Sequence, residues 1–294
     1  MEQIVEFKKA REFGEIIGDT FLFIKQNFKP LMKAYFYLCG FFILGGLLIT
    51  VFTQLRIVGM VNPIRANEIN NPIAMLLNFS FSYFLIIVLK VLSYTSFYVT
   101  ILSYIALYIE KGNIAPSVPE VWSYFRFYFF RMLGGGFLIT CFAFLCFICC
   151  IIPGIWVAPA VTIFYAIMIM ENAGISYAFN RSFKLVSEEW WITFATIIVI
   201  YLIYFASSML VQVPALIIVW ASAFTHLENP INATYAIVTT VSQHLSEVFL
   251  IIPIVCSALI YFNLVERKEN TGLMSRIEGM GNYSATDHAK PEEY

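Results

Sequence analysis

The sequence is poor in charged residues and in the side chains that most enzymes use for catalysis. Only 13% of its 294 residues are Asp, Glu, Lys or Arg, whereas soluble domains average about 25%. Aspartate occurs twice and histidine three times. No short motif for binding phosphate, a dinucleotide or catalytic zinc is present. The net charge of −1 excludes the strongly basic composition of a nucleic-acid-binding protein.

Apolar residues take the place of the missing charges. They make up 60% of the chain, with 29 Phe and 17 Tyr, and a single water-facing core cannot bury so many. The composition predicts an all-α, polytopic membrane protein. Since a spanning helix needs roughly 20 mostly apolar residues, we predict six spans, at 31–54, 84–109, 132–151, 155–171, 191–213 and 243–265.

Amphipathic segments precede the first, third and fifth spans. The clearest is "SYAFNRSFKLVSEEWW" (176–191), in which apolar residues recur every three or four positions opposite Arg181, Lys184 and Glu188. This spacing predicts a helix lying in the membrane interface. Residues 13–28 and 117–133 carry similar stripes. We therefore predict three repeats, about 11–110, 115–171 and 173–265, each a cytoplasmic interfacial helix followed by a membrane hairpin.

The distribution of positive charge predicts the orientation. Fifteen Lys and Arg residues fall in segments assigned to the cytoplasm and two in outer segments, a strong positive-inside bias. Both termini are therefore expected in the cytoplasm. We predict a single membrane domain over 1–265, followed by a polar carboxyl-terminal tail over 266–294. The uncharged stretch 192–224 is long for one helix, so we expect a break at Pro214 and then a re-entrant or surface helix.

Lys90 and Glu247 are charged residues inside predicted spans, far from the cytoplasmic ends of those spans. Lys90 precedes Glu110 by 20 residues and Glu247 precedes Glu266 by 19, so both lie roughly 30 Å from the cytoplasmic helix ends. Three interpretations follow: each side chain reaches the outer headgroups independently, the two form an ion pair with His244 one turn away, or they serve in transport or proton transfer.

Two further groups of residues are open to more than one interpretation. The basic side chains Lys25, Arg126, Arg181 and Lys184 either anchor their helices or contact lipid headgroups or a partner protein. The cysteines of "CFAFLCFICC" have partly metal-like spacing but no nearby His or carboxylate, which favours apolar packing. We predict no metal and no other cofactor. Gly134, Gly135 and Gly136 favour close helix packing.

Three stretches carry a resemblance to a known family. They are "FGEIIGDTFLFIKQNFKPL", "YIALYIEKGN…SVPEVWSYF" and "PGIWVAPAVTIFYAIMIMENAGISYAFNRSFKLVSEEWW". Over about 11–265 the chain resembles the bacterial membrane-domain family found fused to some glycerophosphodiester phosphodiesterases, and looks most like its stand-alone members in Bacteroidota-like bacteria. In the fused proteins a separate soluble barrel performs catalysis with its own His and acidic metal ligands. Nothing in this sequence corresponds to that barrel, so the resemblance implies a scaffold or accessory module in a bacterial inner membrane.

The sequence therefore favours a non-enzymatic inner-membrane scaffold or accessory subunit, with membrane lipid and other membrane protein subunits as partners. The alternative is a transporter or handler of a lipid-like or apolar solute, for which the polar candidates are few: Asn78, Gln212, Gln243, His244 and Glu247. An intramembrane enzyme is a third hypothesis, and it would have to be built on His244 and Glu247.

Overall fold

A computed structural model describes residues 4–61, 72–224 and 233–270. Over those ranges every regular element is helical. In chain order they are α1 (Phe13–Val61), α2 (Pro72–Glu110), α3 (Val118–Cys149), α4 (Ile151–Met170), α5 (Ile175–Val186), α6 (Trp190–Phe224), α7 (Ala233–Ser246) and α8 (Ile251–Glu269), with a 3₁₀ turn over Glu247–Leu250 between α7 and α8.

Six stretches of helix in the described ranges are long and apolar enough to cross a membrane. They are Phe13–Val58, Ser80–Glu110, Val118–Cys149, Ile151–Met170, Trp190–Ala221 and Ala233–Glu269. The last joins α7, the 3₁₀ turn and α8. The all-α architecture with six candidate spanning helices, predicted from composition and run length, is confirmed.

The helix α8 forms the centre of the bundle. Every residue from Ile251 to Glu266 is buried, and α8 contacts α1, α2, α4, α5 and α6. The core is therefore built around this helix, and protein rather than lipid covers all its sides over these residues. By contrast, only 17% of the most apolar stretch of α6 is buried, against 89% for the last span.

The helices α1 and α2 run antiparallel along one another. The Phe23 ring lies 5.3 Å from that of Tyr108, and Cys39 Sγ lies 3.4 Å from Thr100 Oγ1. Further along, a side chain at Gly45 would meet Leu89 at 3.9 Å. Residues later in α1 therefore contact residues earlier in α2. Lys90, which lies early in α2, is thus near the end of the bundle opposite to Phe23 and Tyr108.

The start of α3 follows from a local sequence signal. The Glu120 carboxylate accepts a 2.7 Å hydrogen bond from the backbone N–H of Ser117, as in a capping box. Pro119 occupies the first turn, where a backbone N–H has no helical partner. Further along α3, a Cβ at Gly135 would lie 2.9 Å from Met168 Sδ, and one at Gly136 would lie 2.9 Å from Tyr165 Oη. The two glycines therefore let α3 and α4 approach closely.

Two of the three predicted interfacial helices are not separate elements. The helices α1 and α3 each run without interruption from the amphipathic segment into the following span. Pro30 lies inside α1 and removes one backbone hydrogen bond there, but the helix continues. Phe23 in the first amphipathic segment is fully buried against α2. Both segments are therefore continuous with the spans that follow them, and their position in the membrane interface stays a prediction.

The third predicted interfacial helix, α5, is separate, but its apolar face packs on protein. The rings of Phe179 and Phe183 lie 5.1 Å and 6.3 Å from that of Phe142 on α3. Phe183 also stacks on Trp156 of α4, with ring centroids 5.7 Å apart. We expected lipid to cover this face, and the aromatic rings of α3 and α4 cover it instead.

This packing also corrects the predicted topology around α5. The indole Nε1–H of Trp190 donates a 2.9 Å hydrogen bond to the carbonyl of Trp156. The start of α6 therefore lies beside the start of α4, which is incompatible with their predicted placement on opposite faces of the membrane. The reason is that α5 folds back against α3 and α4 while its Arg181 and Lys184 stay in contact with Glu269 and Lys268 at the end of α8.

The predicted break at Pro214 is also wrong. The helix α6 continues through Pro214 to Phe224, where this described range ends. A proline removes only one backbone hydrogen bond, and neighbouring groups in a membrane bundle tolerate that loss. At the other boundary, α8 extends to Glu269, four residues into the segment predicted as the polar tail.

Candidate intramembrane site and the termini end of the bundle

An ion pair joins two candidate spanning helices. Lys90 Nζ of α2 donates to Glu247 Oε1, at the end of α7. The Glu247 side chain is only 6% exposed, whereas that of Lys90 is 32% exposed. A buried carboxylate is stable only when it is paired and hydrogen-bonded. The structure therefore brings together two of the three residues that the sequence singled out inside spans.

The chain changes its helical form at Glu247. The α-helix α7 ends at Ser246, and the 3₁₀ turn begins at Glu247. A 3₁₀ turn inside a long helix is tighter than its flanks and often marks a functional hinge or strain. The paired carboxylate is thus the first residue of the only such turn in the described part of the six spans.

His244 lies one turn before the pair and is 4% exposed. Its Nδ1 lies 3.0 Å from the carbonyl oxygen of Thr240. Because a carbonyl only accepts, Nδ1 carries the proton. Its Nε2 faces α1 at Gly46, where a Cβ would lie only 3.3 Å away. Gly46 therefore leaves the room that the imidazole ring occupies.

Tyrosine side chains surround the carboxylate. Tyr35, Tyr94 and Tyr204, on α1, α2 and α6, each interact electrostatically with Glu247. The Tyr35 hydroxyl is buried and has no hydrogen-bond partner among the described residues. The chemistry that this arrangement supports most directly is charge neutralisation between helices.

The depth of the pair follows from helix rise. The Tyr261 hydroxyl lies 3.0 Å from Glu171, just past the end of α4, and we take this contact as the start of the apolar layer. Glu247 is 14 residues earlier, which corresponds to roughly 23 Å of combined 3₁₀ and α-helix. This distance is most of the thickness of a hydrocarbon core, which is about 30 Å.

A second polar cluster lies at one end of the bundle, where Arg11, Asn263 and Arg267 meet. We name this end of the bundle the termini end. The Arg11 side chain is fully buried and bonds Asp19 at 2.7 Å. Its guanidinium also donates to the carbonyls of Glu6, Phe7 and Lys9. The backbone of Arg11 bonds Asn263 at 2.7 Å and Arg267 at 2.8 Å. Arg11 therefore ties the first residues of the chain to α1 and α8.

Sequence reasoning did not find this cluster. Arg11 lies outside any periodic segment, and most of its partners are backbone carbonyls, which leave no signal in a sequence. The neighbouring Phe7 offered a weak clue as an apolar residue before α1. Its ring packs edge-on against Phe23, Tyr108 and Phe262, so the segment before α1 closes this end of the core.

The four basic residues singled out from the sequence have different surroundings. Arg181 pairs with Glu171 at 3.2 Å and with Glu269 at 2.6 Å. Burial alone lowers the pKa of Arg181, but hydrogen bonds to the two carboxylates outweigh it and raise the pKa above its usual value. Lys25, Arg126 and Lys184 are exposed on three different helices. The structure thus places only Arg181 in a cluster of charges.

Further charges join α5, the start of α6 and the end of α8. Lys268 Nζ lies 2.6 Å from Glu188, and Arg267 Nη1 lies 3.2 Å from Glu189. On the same side, a hydrogen bond to Glu171 raises the pKa of the exposed Tyr177 hydroxyl. These contacts explain why the segment between the fourth and fifth spans is rich in charge: it holds the end of the central helix.

In the described ranges, no three His, Cys, Asp or Glu residues come together in a group that could hold a metal ion. All six cysteines are free, and Cys141, Cys149 and Cys150 are exposed. Gln212 is half-buried and Gln243 is exposed. His226, the side chain of Asn78 and the tail from residue 271 lie outside what the structure describes.

Comparison with known proteins adds no relative. No protein-family model matches the chain, and neither the curated proteins nor the solved structures contain a match.

Proposed function

We propose that this chain is a non-enzymatic scaffold or accessory subunit of a larger assembly in the bacterial inner membrane, with both termini in the cytoplasm. The observation that carries the proposal is how the buried charges are used. Arg11 pairs with Asp19 and Lys90 pairs with Glu247, so each pair joins parts of this chain to one another. Charges arranged in this way stabilise an architecture.

The distribution of exposed surface supports the same function. The long helix α6 contributes little of its surface to the core, and its Leu202, Leu210 and Trp220 are 61%, 74% and 64% exposed. Such a surface must be covered by lipid or by another membrane protein. The resemblance to the membrane-domain family favours the scaffold function and a bacterial inner membrane, and we keep both as part of the proposal.

Purification from the native membrane tests the proposal. The chain, tagged at its amino terminus, is released with a mild detergent, and attached proteins are quantified by mass spectrometry. We expect a fixed set of other membrane proteins in stoichiometric amounts. A chain that purifies without any stoichiometric protein would contradict the subunit function. If that lone chain retains a defined lipid, the alternative function in handling a lipid-like solute is favoured.

A truncated chain locates the contact with these partners. The truncation should end the chain after Asn270, because Arg267, Lys268 and Glu269 pair with the segment that connects α4 and α6. We expect the partners to be lost with residues 271–294, since a polar tail is suited to docking. Full retention of the partners would assign their contact to the membrane helices.

A further inference from the structure

A large groove lies between α1 and the start of α3, apart from both charged clusters. Its volume is about 1000 Å³, at the upper end of the range for small-molecule sites. Six side chains define its shape, namely Lys33, Tyr37, Phe41, Phe42, Trp122 and Phe125. Nothing in the scaffold function requires such a groove.

One end of the groove is polar and carries a positive charge. Lys33 is the last charged residue of α1 before 22 residues without any Asp, Glu, Lys or Arg, so it marks the boundary of the apolar layer. It is exposed and forms no ion pair within the described ranges. Trp122, on the opposite wall, is 45% exposed, and tryptophan is enriched at the level of lipid headgroups.

The rest of the groove is apolar and aromatic. Tyr37 and Phe41 project from α1 and are 77% and 80% exposed. Phe125 is buried on the α3 side and stacks on Trp122, with ring centroids 5.4 Å apart. Phe42 stacks on Phe129 at 5.9 Å. The groove therefore leads from a cation at the boundary along rings that belong to the apolar layer.

Neighbouring charges leave the positive charge of Lys33 uncompensated. Glu120, one turn into α3, is already paired with Lys111 at 2.9 Å and accepts a hydrogen bond from Ser117. Lys33 is the one charged residue among the described side chains that line the groove. A ligand that fills the whole groove must therefore be negatively charged at one end and apolar along its length.

We propose that this groove binds a membrane phospholipid with a negatively charged headgroup. The phosphate contacts the Lys33 ammonium, the indole of Trp122 lies beside the headgroup, and one acyl chain follows Tyr37, Phe41 and Phe42. The apolar rings do not distinguish lipid from detergent, because acyl chains are as apolar as the groove. Selectivity therefore comes from Lys33.

Lipid titration of the purified full-length chain in detergent tests the site. Binding of phosphatidylglycerol and of phosphatidylcholine with the same acyl chains is measured by native mass spectrometry. We expect one phosphatidylglycerol to bind more tightly than any phosphatidylcholine. Lys33→Gln should weaken phosphatidylglycerol about fivefold, the effect expected for one lysine at an anionic membrane surface, and Lys33→Arg should preserve binding. Arg56→Gln, at an exposed basic residue near the other end of the same helix, should leave binding unchanged.

The location of the lipid is tested by fluorescence. Phosphatidylglycerol whose acyl chains are brominated close to the headgroup quenches nearby tryptophans, of which the chain has five. One equivalent should quench part of the emission of the native chain. Trp122→Phe should remove that part, and Trp220→Phe should not. Circular dichroism during heating verifies that each variant is folded as stably as the native chain.

Three results would overturn the proposal. They are unchanged phosphatidylglycerol affinity in Lys33→Gln, an equal loss of affinity in Arg56→Gln, and unchanged quenching in Trp122→Phe. None of these outcomes depends on whether protein subunits purify with the chain, so the lipid site and the scaffold function can fail separately.

Discussion

The ion pair between Lys90 and Glu247 leads us to expect a larger loss of stability when Lys90 is replaced than when Glu247 is replaced. Lys90→Met leaves the Glu247 carboxylate buried, since that side chain is only 6% exposed. Removing one partner of a buried pair costs about 3–5 kcal/mol. We therefore expect Lys90→Met to lower the free energy of unfolding by about 3 kcal/mol.

Glu247→Gln should cost less. The Lys90 side chain is 32% exposed, and a lysine without its partner can extend its ammonium towards the headgroups. A loss of about 1 kcal/mol is expected. The double variant keeps no buried ion, so it should lose about 1–2 kcal/mol, less than the sum of the single losses.

Unfolding by sodium dodecyl sulphate in mixed micelles, followed by circular dichroism, measures these free energies. Strict additivity of the two single losses in the double variant would refute the reasoning. Lys25→Met is the control and should change stability by less than about 0.5 kcal/mol.

Two further predictions concern packing and the termini end. Arg11→Met should lower the free energy of unfolding by about 3 kcal/mol, because it leaves the partly buried Asp19 and three carbonyls without their donor. The control Lys8→Met should have little effect. Equal stabilities of the Arg11→Met and Lys8→Met variants would contradict the role of Arg11. A Cβ at Gly154 would lie 2.4 Å from the Phe147 ring and one at Gly136 2.9 Å from Tyr165, whereas one at Gly134 meets nothing within 4 Å. Thermal unfolding should therefore show losses of about 1–3 kcal/mol for Gly154→Ala and Gly136→Ala, with Gly134→Ala near native; an equal loss in all three would mean that helix propensity or another shared effect dominates.

Part of this fold could be predicted because helix length and polarity are local properties. An apolar run near 20 residues long predicts a spanning helix wherever it occurs. The same reasoning could propose Lys90 and Glu247 as a pair, since each lies about the same number of residues from a polar helix end. Choosing between that pair and two independent side chains required the relative placement of α2 and α7.

The fold-back of α5 could not be predicted for a physical reason. The spacing of Phe179 and Phe183 shows that one face of the helix is apolar, but lipid and the aromatic rings of Phe142 and Trp156 satisfy such a face equally well. The periodicity of a sequence predicts which side of a helix is buried, but it does not predict whether lipid or protein covers that side. The same limit applies to the groove, because its walls come from residues 30–42 and 116–125 and only their approach creates it.

The central position of α8 has a consequence for biosynthesis. Lys90 and Glu247 are separated by 157 residues, and a ribosome adding about 5–20 residues per second makes Glu247 roughly 10–30 s after Lys90. During that interval the second span is in place without its counter-charge, and the helix that the others surround does not yet exist. The nascent chain must hold its lysine near water until the last helix arrives. Translation speed between these two codons therefore sets how long the unfinished bundle stays vulnerable to proteolysis.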